Sequence, residues 1–519
     1  MTVSRSIHTV SVGISMIWLL SACGPKLEES EFDSGTSDDL SQTDDVVFAD
    51  SESDNLAVRD SADDAAIVES DSSIAPDTET ETDTETDSEG FVFIDTDTVP
   101  VATLRCAPLL FSPTPTGFSL NAVLENGDPK KLRLQVKTEG DTNWNPPMNP
   151  FYTDGIGMLD TAIFQATDLS PASAYQYRLL YRRTTFDDAF QLLSEGTLTT
   201  IEPPGRSFSF AMLSDTHIGS DMSYSNQGVP EWCREVASQI SVYGPRFTIH
   251  LGDVLDFHQY GFNVPSPSSL LTKQAYLSYR NLLETMPATM FHFSTIGNWD
   301  GESGCFTDEE ILRSRDARLV YMPNPNAQTV GYNGSDFQDY YAFNWGDAMF
   351  IVLNVQSYTM TEHLLSTFSE GSADDWTLGQ SQLNWLEQTL SDASAKWRFV
   401  FIHHTVGGAA ATEENSIYGR GGGQAAYVGE QAVIHQLMID HDVQILFYGH
   451  DHVFTDMVVD GIHYSSPGSA GAPWLFTETT TGYQNYIAEP GWALVNVSPD
   501  DVHVQFINLN EDVVYEYGL

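Results

Sequence analysis

Five times between Ser207 and His452 an apolar run of strand length stops, and aspartate, asparagine or histidine follows almost at once. Ser207–Leu213 leads into Asp215-Thr216-His217, Arg246–Leu251 into Gly252-Asp253, and Thr289–Ile296 into Gly297-Asn298-Trp299-Asp300. Arg398–Ile402 leads into His403-His404, and Gln444–Tyr448 into Gly449-His450-Asp451-His452. Ala348–Asn354 is a sixth strand candidate. Helical patterns separate the runs, over Glu231–Val242, Ser268–Met286, Gln380–Ser391 and Gln431–Asp440; in the third, Leu383, Leu386 and Leu390 recur at helical spacing. Strands alternating with helices predict an α/β domain whose sheets are covered by helices. The C-terminal ends of such strands bring distant side chains to one sheet edge. From Met457 onward the pattern turns β-rich.

Each piece alone is a weak signal, because D-x-H occurs often by chance and a lone strand-end histidine usually serves the fold. The ordered set of five is strong. Its residue types suit a pair of metal ions: a carboxylate such as Asp253 has two oxygens with which to bridge. Neutral imidazoles and hard oxygens suit Mn, Fe or Zn. The chain's charge points the same way. A formal −51 gives no electrostatic footprint for nucleic acid, so no nucleic-acid partner is expected. It also repels phosphate at long range. A phosphate-handling site in this chain needs local positive charge, which metals supply.

The first two hundred residues read as three segments. Arg5 and the apolar stretch from Ile7 to Leu20 form a signal peptide over 1–22, too short to span a bilayer. Leu20-Ser21-Ala22-Cys23 resembles a bacterial lipobox, with Cys23 lipidated. The expected location is therefore that of an exported lipoprotein held at a membrane surface: outer membrane, periplasm or cell exterior. Residues 23–99 follow as an acidic tether, with about 25 acidic side chains against the single basic Arg59 between 27 and 99. That composition does not offset ordering entropy and is expected to be disordered. Residues 100–203 carry short alternating runs such as Leu132–Val136 and Tyr175–Leu179, broken by Asn126-Gly127-Asp128 and Asn145-Pro146-Pro147. They predict an antiparallel β-sandwich used for packing or positioning. Of the other cysteines, Cys233 and Cys305 are the expected disulfide in an oxidising compartment, because each follows a site motif closely; three free thiols is the alternative.

The order D-x-H, G-D, G-N-x-D, H, G-H-x-H resembles that of the calcineurin-like metallophosphoesterase superfamily, over about residues 205–515. Gly461–Tyr464 and Gly468–Ala472 are similar to the strand and glycine-rich loop that follow G-H-x-H there. Leu169–Tyr175 resembles the tyrosine-corner region of fibronectin type III domains, and a sandwich ahead of the catalytic domain is similar to the arrangement in purple acid phosphatases. The resemblance implies a four-layer α/β/β/α sandwich over 204–519, preceded by an all-β fibronectin type III-like sandwich. It implies two metal ions, Fe, Mn or Zn. Asp215, His217, Asp253 and His452 would hold the first. Asp253 would bridge to the second, completed by Asn298, His403 and His450. Asp253, Asn298 and His403 are also the expected catalytic residues. The implied activity is hydrolysis of small phosphate monoesters with a metal-bound hydroxide as nucleophile; a phosphodiesterase or nucleotidase on the same site is the alternative. Two departures matter. Asp256 stands where purple acid phosphatases have an iron-ligating tyrosine, and Trp299 stands where the family has a histidine that helps protonate the leaving group. The second leaves metal catalysis intact but should favour substrates with good leaving groups, unless His258, His363 or His404 takes the donor's part; a metal-binding module without turnover is the alternative. General-acid help of that kind is worth roughly 10²–10⁴ in rate.

Overall fold

The computed structural model describes residues 84–86, 92–94, 102–153, 161–183, 189–219, 228–256, 269–304, 307–358, 377–407, 418, 421, 429–476, 483 and 485–519. Cys23, the segment expected to be a signal peptide, most of the segment expected to be a tether, His258, Cys305 and His363 lie outside them.

The N-terminal part is all β. Its strands are β1 (Thr84–Thr86), β2 (Val92–Ile94), β3 (Thr103–Leu104), β4 (Leu109–Thr114), β5 (Gly117–Asn126), β6 (Leu132–Thr138), β7 (Tyr152–Thr153), β8 (Thr161–Ala166), β9 (Ala174–Arg182) and β10 (Ala189–Thr199). One sheet runs β1-β2-β10-β9-β6; β4, β5, β8 and β7 form the facing layer, with β3 paired to β5. At the start of β9 the Ser170 N–H donates to the Tyr175 hydroxyl at 2.7 Å, the bond that defines a tyrosine corner.

The C-terminal part continues with β11 (Phe208–Leu213), α1 (Pro230–Tyr243), β12 (Phe247–His250), α2 (Ser269–Leu282), β13 (Phe291–Ser294) and α3 (Asp308–Tyr321). Then come β14 (Tyr332–Gly334), β15 (Tyr341–Trp345), β16 (Ala348–Val352), α4 (Gln380–Ser391), β17 (Trp397–Ile402), α5 (Gly429–Asp440) and β18 (Ile445–Tyr448). Five strands close the chain: β19 (Phe454–Val459), β20 (Ile462–Pro467), β21 (Gly491–Val497), β22 (Val502–Asn508) and β23 (Val513–Gly518).

Alternation along the strands dictates the layering, since successive side chains leave a strand on opposite faces. Phe208, Phe210 and Met212 of β11 enter one core, with Phe399 and Phe401 of β17 and Ile445 and Phe447 of β18. That core lies between the two sheets. Ala211 and Leu213 face instead a second core with α1 and α2 residues such as Val236 and Tyr276. Val400, Ile402 and Leu446 face a third with Leu386 of α4 and Ile434 of α5. The order is helix, sheet, sheet, helix. It is the four-layer α/β sandwich expected from the sequence.

Within the first sheet β11, β12 and β13 are parallel neighbours; within the second, β16, β17 and β18 are. The first sheet does not end at β13. Phe291 pairs in parallel with Leu110 of β4, so the sheet passes without a break into the N-terminal sandwich and counts 11 strands in all.

Candidate metal centre

All seven expected ligands lie in turns just beyond the C-terminal ends of parallel strands. The first sheet supplies Asp215 and His217 after β11, Asp253 after β12 and Asn298 after β13. The second supplies His403 after β17, and His450 and His452 after β18. Each is at most 8% exposed. Ligand atoms of Asp215, His217, Asp253 and His452 all lie within 4.8 Å of one another. Atoms bound 2.0–2.2 Å from one ion cannot lie more than about 4.4 Å apart, so this set is close to coordinating distance.

Asp253 sits between two groups. Its Oδ2 is 3.5 Å from Nε2 of His217 and 3.1 Å from Nε2 of His403. His403 Nε2 is also 3.1 Å from Oδ1 of Asn298. Among the described residues, Asp253 Oδ2 and both ring nitrogens of His217 have no hydrogen-bond partner although fully buried. Buried polar atoms are almost always satisfied. Orphans converging from two strands fit cations bridged by Asp253.

Carbonyl partners set the imidazoles. His403 Nδ1 donates to the Leu251 carbonyl at 2.7 Å, and His452 Nδ1 donates to that of Trp474 at 2.7 Å. In the neutral tautomer that these carbonyls select, each ring turns a bare Nε2 toward the centre. His404 differs. The Gln356 amide Nε2 lies 2.6 Å from its Nδ1, while Oε1 of the same amide accepts from Ser303. An amide nitrogen can only donate, so neutral His404 carries its proton on Nε2. His403, His404 and His450 nevertheless form a second group whose ligand atoms lie within 4.8 Å of one another. His404 packs against His450, ring centroids 3.9 Å apart.

The backbone is strained where it presents ligands. Asp215, His217, Asp253, His450 and His452 all have positive φ, between 48° and 69°, a conformation that costs a non-glycine residue roughly 1–3 kcal/mol. The surroundings enforce it. His450 N–H donates to both carboxylate oxygens of Asp215 at 3.1 Å. The Asp300 carboxylate accepts from the backbone N–H groups of Gly297, Asp253 and Leu255 at 2.8, 3.1 and 3.0 Å. Ala472 N–H and the Ser469 hydroxyl reach the Asp215 carbonyl at 2.9 and 3.1 Å, so the glycine-rich loop holds the first turn. A Cβ on Gly297 would fall 2.1 Å from Asp253 N and Oδ1, which requires glycine there.

His250, at the end of β12, joins two ligand turns. The Thr216 hydroxyl donates to the Val254 carbonyl at 3.0 Å and accepts from His250 Nε2 at 3.1 Å. His250 Nδ1 in turn accepts from Gly252 N–H at 3.2 Å. Burial, then neighbouring His292, holds His250 well below its ordinary pKa and therefore neutral.

Charge in the site follows its geometry. Burial lowers His217 to about 3 and keeps it a neutral donor. Burial also opposes a charged His403, but Asp253, with help from Asp215 and the Leu251 carbonyl, outweighs it and raises the ring to about 9. Asp215 resists burial because His452, then His403 and His217, hold it below the usual carboxylate range. Burial and the neighbouring Asp253 lift Asp300 to about 7.

Trp299 meets the centre through both its backbone and its ring. Its backbone N–H donates to Asp253 Oδ1 at 2.7 Å, and its ring meets His217 at 5.0 Å and 76°. Trp474 meets the same imidazole at 4.8 Å, a contact that the motifs did not reveal. Asp256 is buried beside the Asp253 turn. Cys233 is a buried free thiol on α1; burial raises it to about 12. The pairing expected with Cys305 involves a residue outside those described. Among the described residues no helix is long and apolar enough to cross a membrane.

Residues 208–454 match the family model described as calcineurin-like phosphoesterase. No curated protein matches the chain. Among solved structures, a purple acid phosphatase from yellow lupin (Lupinus luteus) seeds is similar with a TM-score of 0.56 and 13% identity, covering 80% of this chain and 74% of the lupin one. The anchor protein of the inner membrane complex of Plasmodium matches with a TM-score of 0.37 and 14% identity, over 60% of this chain and 88% of its own. At these identities the lupin likeness is one of fold.

Proposed function

For a chain whose residues 208–454 belong to the calcineurin-like phosphoesterases, metal-dependent hydrolases of phosphate esters, we propose that the substrate is a phosphate monoester. The observation that carries the reading is Asp253, a fully buried carboxylate with one unsatisfied oxygen between His217 and His403. Asp215, His217, Asp253 and His452 would hold one ion, and Asp253, Asn298, His403 and His450 the other. Two such ions, when bound, polarise phosphoryl oxygens and lower the pKa of water. Two cations side by side attract a dianionic monoester more than a singly charged diester, since the attraction scales with ester charge.

The chain's own residues do the rest. Leu251 and Trp474 carbonyls fix the ring faces of His403 and His452. Asp300 holds the backbone of the Asp253 turn. Trp299 offers the leaving oxygen no titratable nitrogen, so esters of acidic alcohols react best, and Trp299→His raises turnover of alkyl esters selectively. Mn, Zn and Fe are all compatible with the nitrogen and oxygen donors. We also propose export and lipid anchoring through Cys23, on the strength of the N-terminal sequence alone. The test is the full-length protein loaded in turn with Mn, Zn and Fe, assayed on nitrophenyl phosphate and bis-nitrophenyl phosphate. Higher kcat/KM on the monoester supports the reading; preference for the diester overturns the monoester assignment; two bound metals without turnover of either ester favours a binding module.

A further inference from the structure

We propose that the leaving group this site accepts is a planar aromatic one, seated on a wall formed by Trp299, Trp474 and Phe476. The inference rests on the phosphoesterase reading above and deepens it to a substrate class, aryl phosphates. Trp299 comes from the turn after β13 and Trp474 from the loop after β20, and their ring centroids lie 6.3 Å apart at 47°. Phe476 extends the wall, 5.1 Å from His452. All three rings are half-buried, with part of each left in solvent. Trp474 touches both His217, at 4.8 Å, and His452, at 5.5 Å. The wall therefore rises directly from the first ligand set. An ester whose phosphoryl group lies against that set has its leaving group within reach of indole.

A second line of argument converges on the same class. The Trp299 ring, packed against His217, offers the leaving oxygen no titratable nitrogen. In the reaction an oxygen of water forms the new bond to phosphorus. The bond from phosphorus to the leaving oxygen breaks, and its electron pair departs with that oxygen, which takes a proton from solvent; the products are phosphate and a phenol. A phenolic oxygen, with a pKa near that of tyrosine, roughly 10, carries that pair by spreading it into its ring. An alkoxide, with an acidity nearer that of water at about 15.7, does not. The side chain that offers no titratable nitrogen thus supplies a surface for the one kind of leaving group that manages without one. Aromatic pairs prefer offset or edge-on geometry and are worth about two- to tenfold in affinity beyond the area they bury.

Matched esters separate stacking from leaving-group acidity. Phenyl phosphate and a fluoroalkyl phosphate whose alcohol ionises near phenol's are compared on the metal-loaded full-length protein. The expected result is a kcat/KM two- to tenfold higher for the aryl ester. Trp474→Leu, which keeps an apolar side chain without a π face, brings the ratio toward one, and Trp474→Phe retains it. Binding gives a second readout: benzylphosphonate quenches tryptophan fluorescence at lower concentration than cyclohexylmethylphosphonate, by the same factor. A phosphotyrosyl peptide turned over faster than the fluoroalkyl ester would identify the source as protein-borne, whereas phenyl phosphate alone being favoured would point to a free aryl ester; either supports the class. A wild-type ratio of one overturns the proposal. So does a Trp474→Leu variant that loses metal and turnover of both esters equally, which would make the indoles mere shields of His217. Selective quenching without turnover of any ester would defeat the phosphoesterase reading and leave the aromatic site standing.

Discussion

Replacing Asp253 by asparagine removes one negative charge while keeping the side chain's shape. The local turn should survive, because Asp253 Oδ1 can still accept the Trp299 N–H and Asp300 still holds the backbone N–H of residue 253. What changes is the atom between the two imidazoles. Asparagine places either an uncharged oxygen or an N–H where the unsatisfied Oδ2 now lies, 3.5 Å from His217 Nε2 and 3.1 Å from His403 Nε2. Removing one partner of a fully buried charge pair costs about 3–5 kcal/mol. That is roughly two to nearly four orders of magnitude in affinity for each ion. Both ions should weaken together, because both would share this carboxylate. Asp215→Asn should weaken chiefly one. Isothermal titration of chelator-treated protein with Mn or Zn reads the affinities, mass spectrometry of the loaded protein reads the stoichiometry, and circular dichroism confirms that the variant is folded. Two ions bound by Asp253→Asn within tenfold of wild-type affinity would refute the bridging role.

In metal-free protein His403 has a folded pKa of about 9, above its ordinary value. Its pairing with Asp253 therefore adds stability that is fully present below about pH 6.5 and lost as pH rises through 9. Metal must displace that proton, so titration at pH 7 in buffers of different ionisation enthalpy should show close to one proton released from this pair, and at pH 10 far fewer; equal release at both would contradict the assignment. Gly297→Ala forces a Cβ into the Asp253 backbone and should cost metal affinity at least as much as Asp253→Asn, read by the same titration; unaltered binding would show that the turn relaxes freely. Cys23→Ser should move the protein from the membrane to the soluble fraction or arrest its processing, and a wild type already soluble after fractionation would end the lipoprotein proposal.

The site was more legible than some of the elements that carry it, for a physical reason. Ligand turns follow strands whose both faces are buried, so a short apolar run and then a polar residue mark each one. Helix α3 lacked that signature. Its buried face is Ser314, Arg318 and Tyr321, and Arg318 is buried because both oxygens of Glu302 hold it, at 2.6 and 3.0 Å. An ion pair takes the place of an apolar stripe, and hydrophobic periodicity does not see it; the Thr307–Glu310 capping box was the available sign. Trp474 was hidden for another reason. It serves the site from a loop 22 residues beyond His452, and no spacing rule ties an aromatic ring to a metal ligand at that distance.

The junction between the two parts of the chain was also invisible, and it alters what the sandwich is for. The alternating runs of 100–203 describe a sandwich complete in itself, yet β4 lies beside β13 in one sheet. Side chains reinforce the seam. Arg280 of α2, fully buried, donates to the Asn121 side chain at 2.5 Å and to the Ala107 carbonyl at 2.7 Å. The Tyr177 hydroxyl donates to the Ala288 carbonyl at 2.8 Å, three residues before β13 begins. Strand β13 ends in the turn that carries Gly297, Asn298 and Trp299. An exposed β13 edge would leave that turn on the margin of a sheet, where backbone hydrogen bonds open most readily. With β4 in place, the strand aiming Asn298 and the Trp299 N–H at Asp253 is an interior one. Among the described residues the sandwich brings no candidate ligand to the centre, and it fixes the strand from which one candidate ligand and the support of another are held.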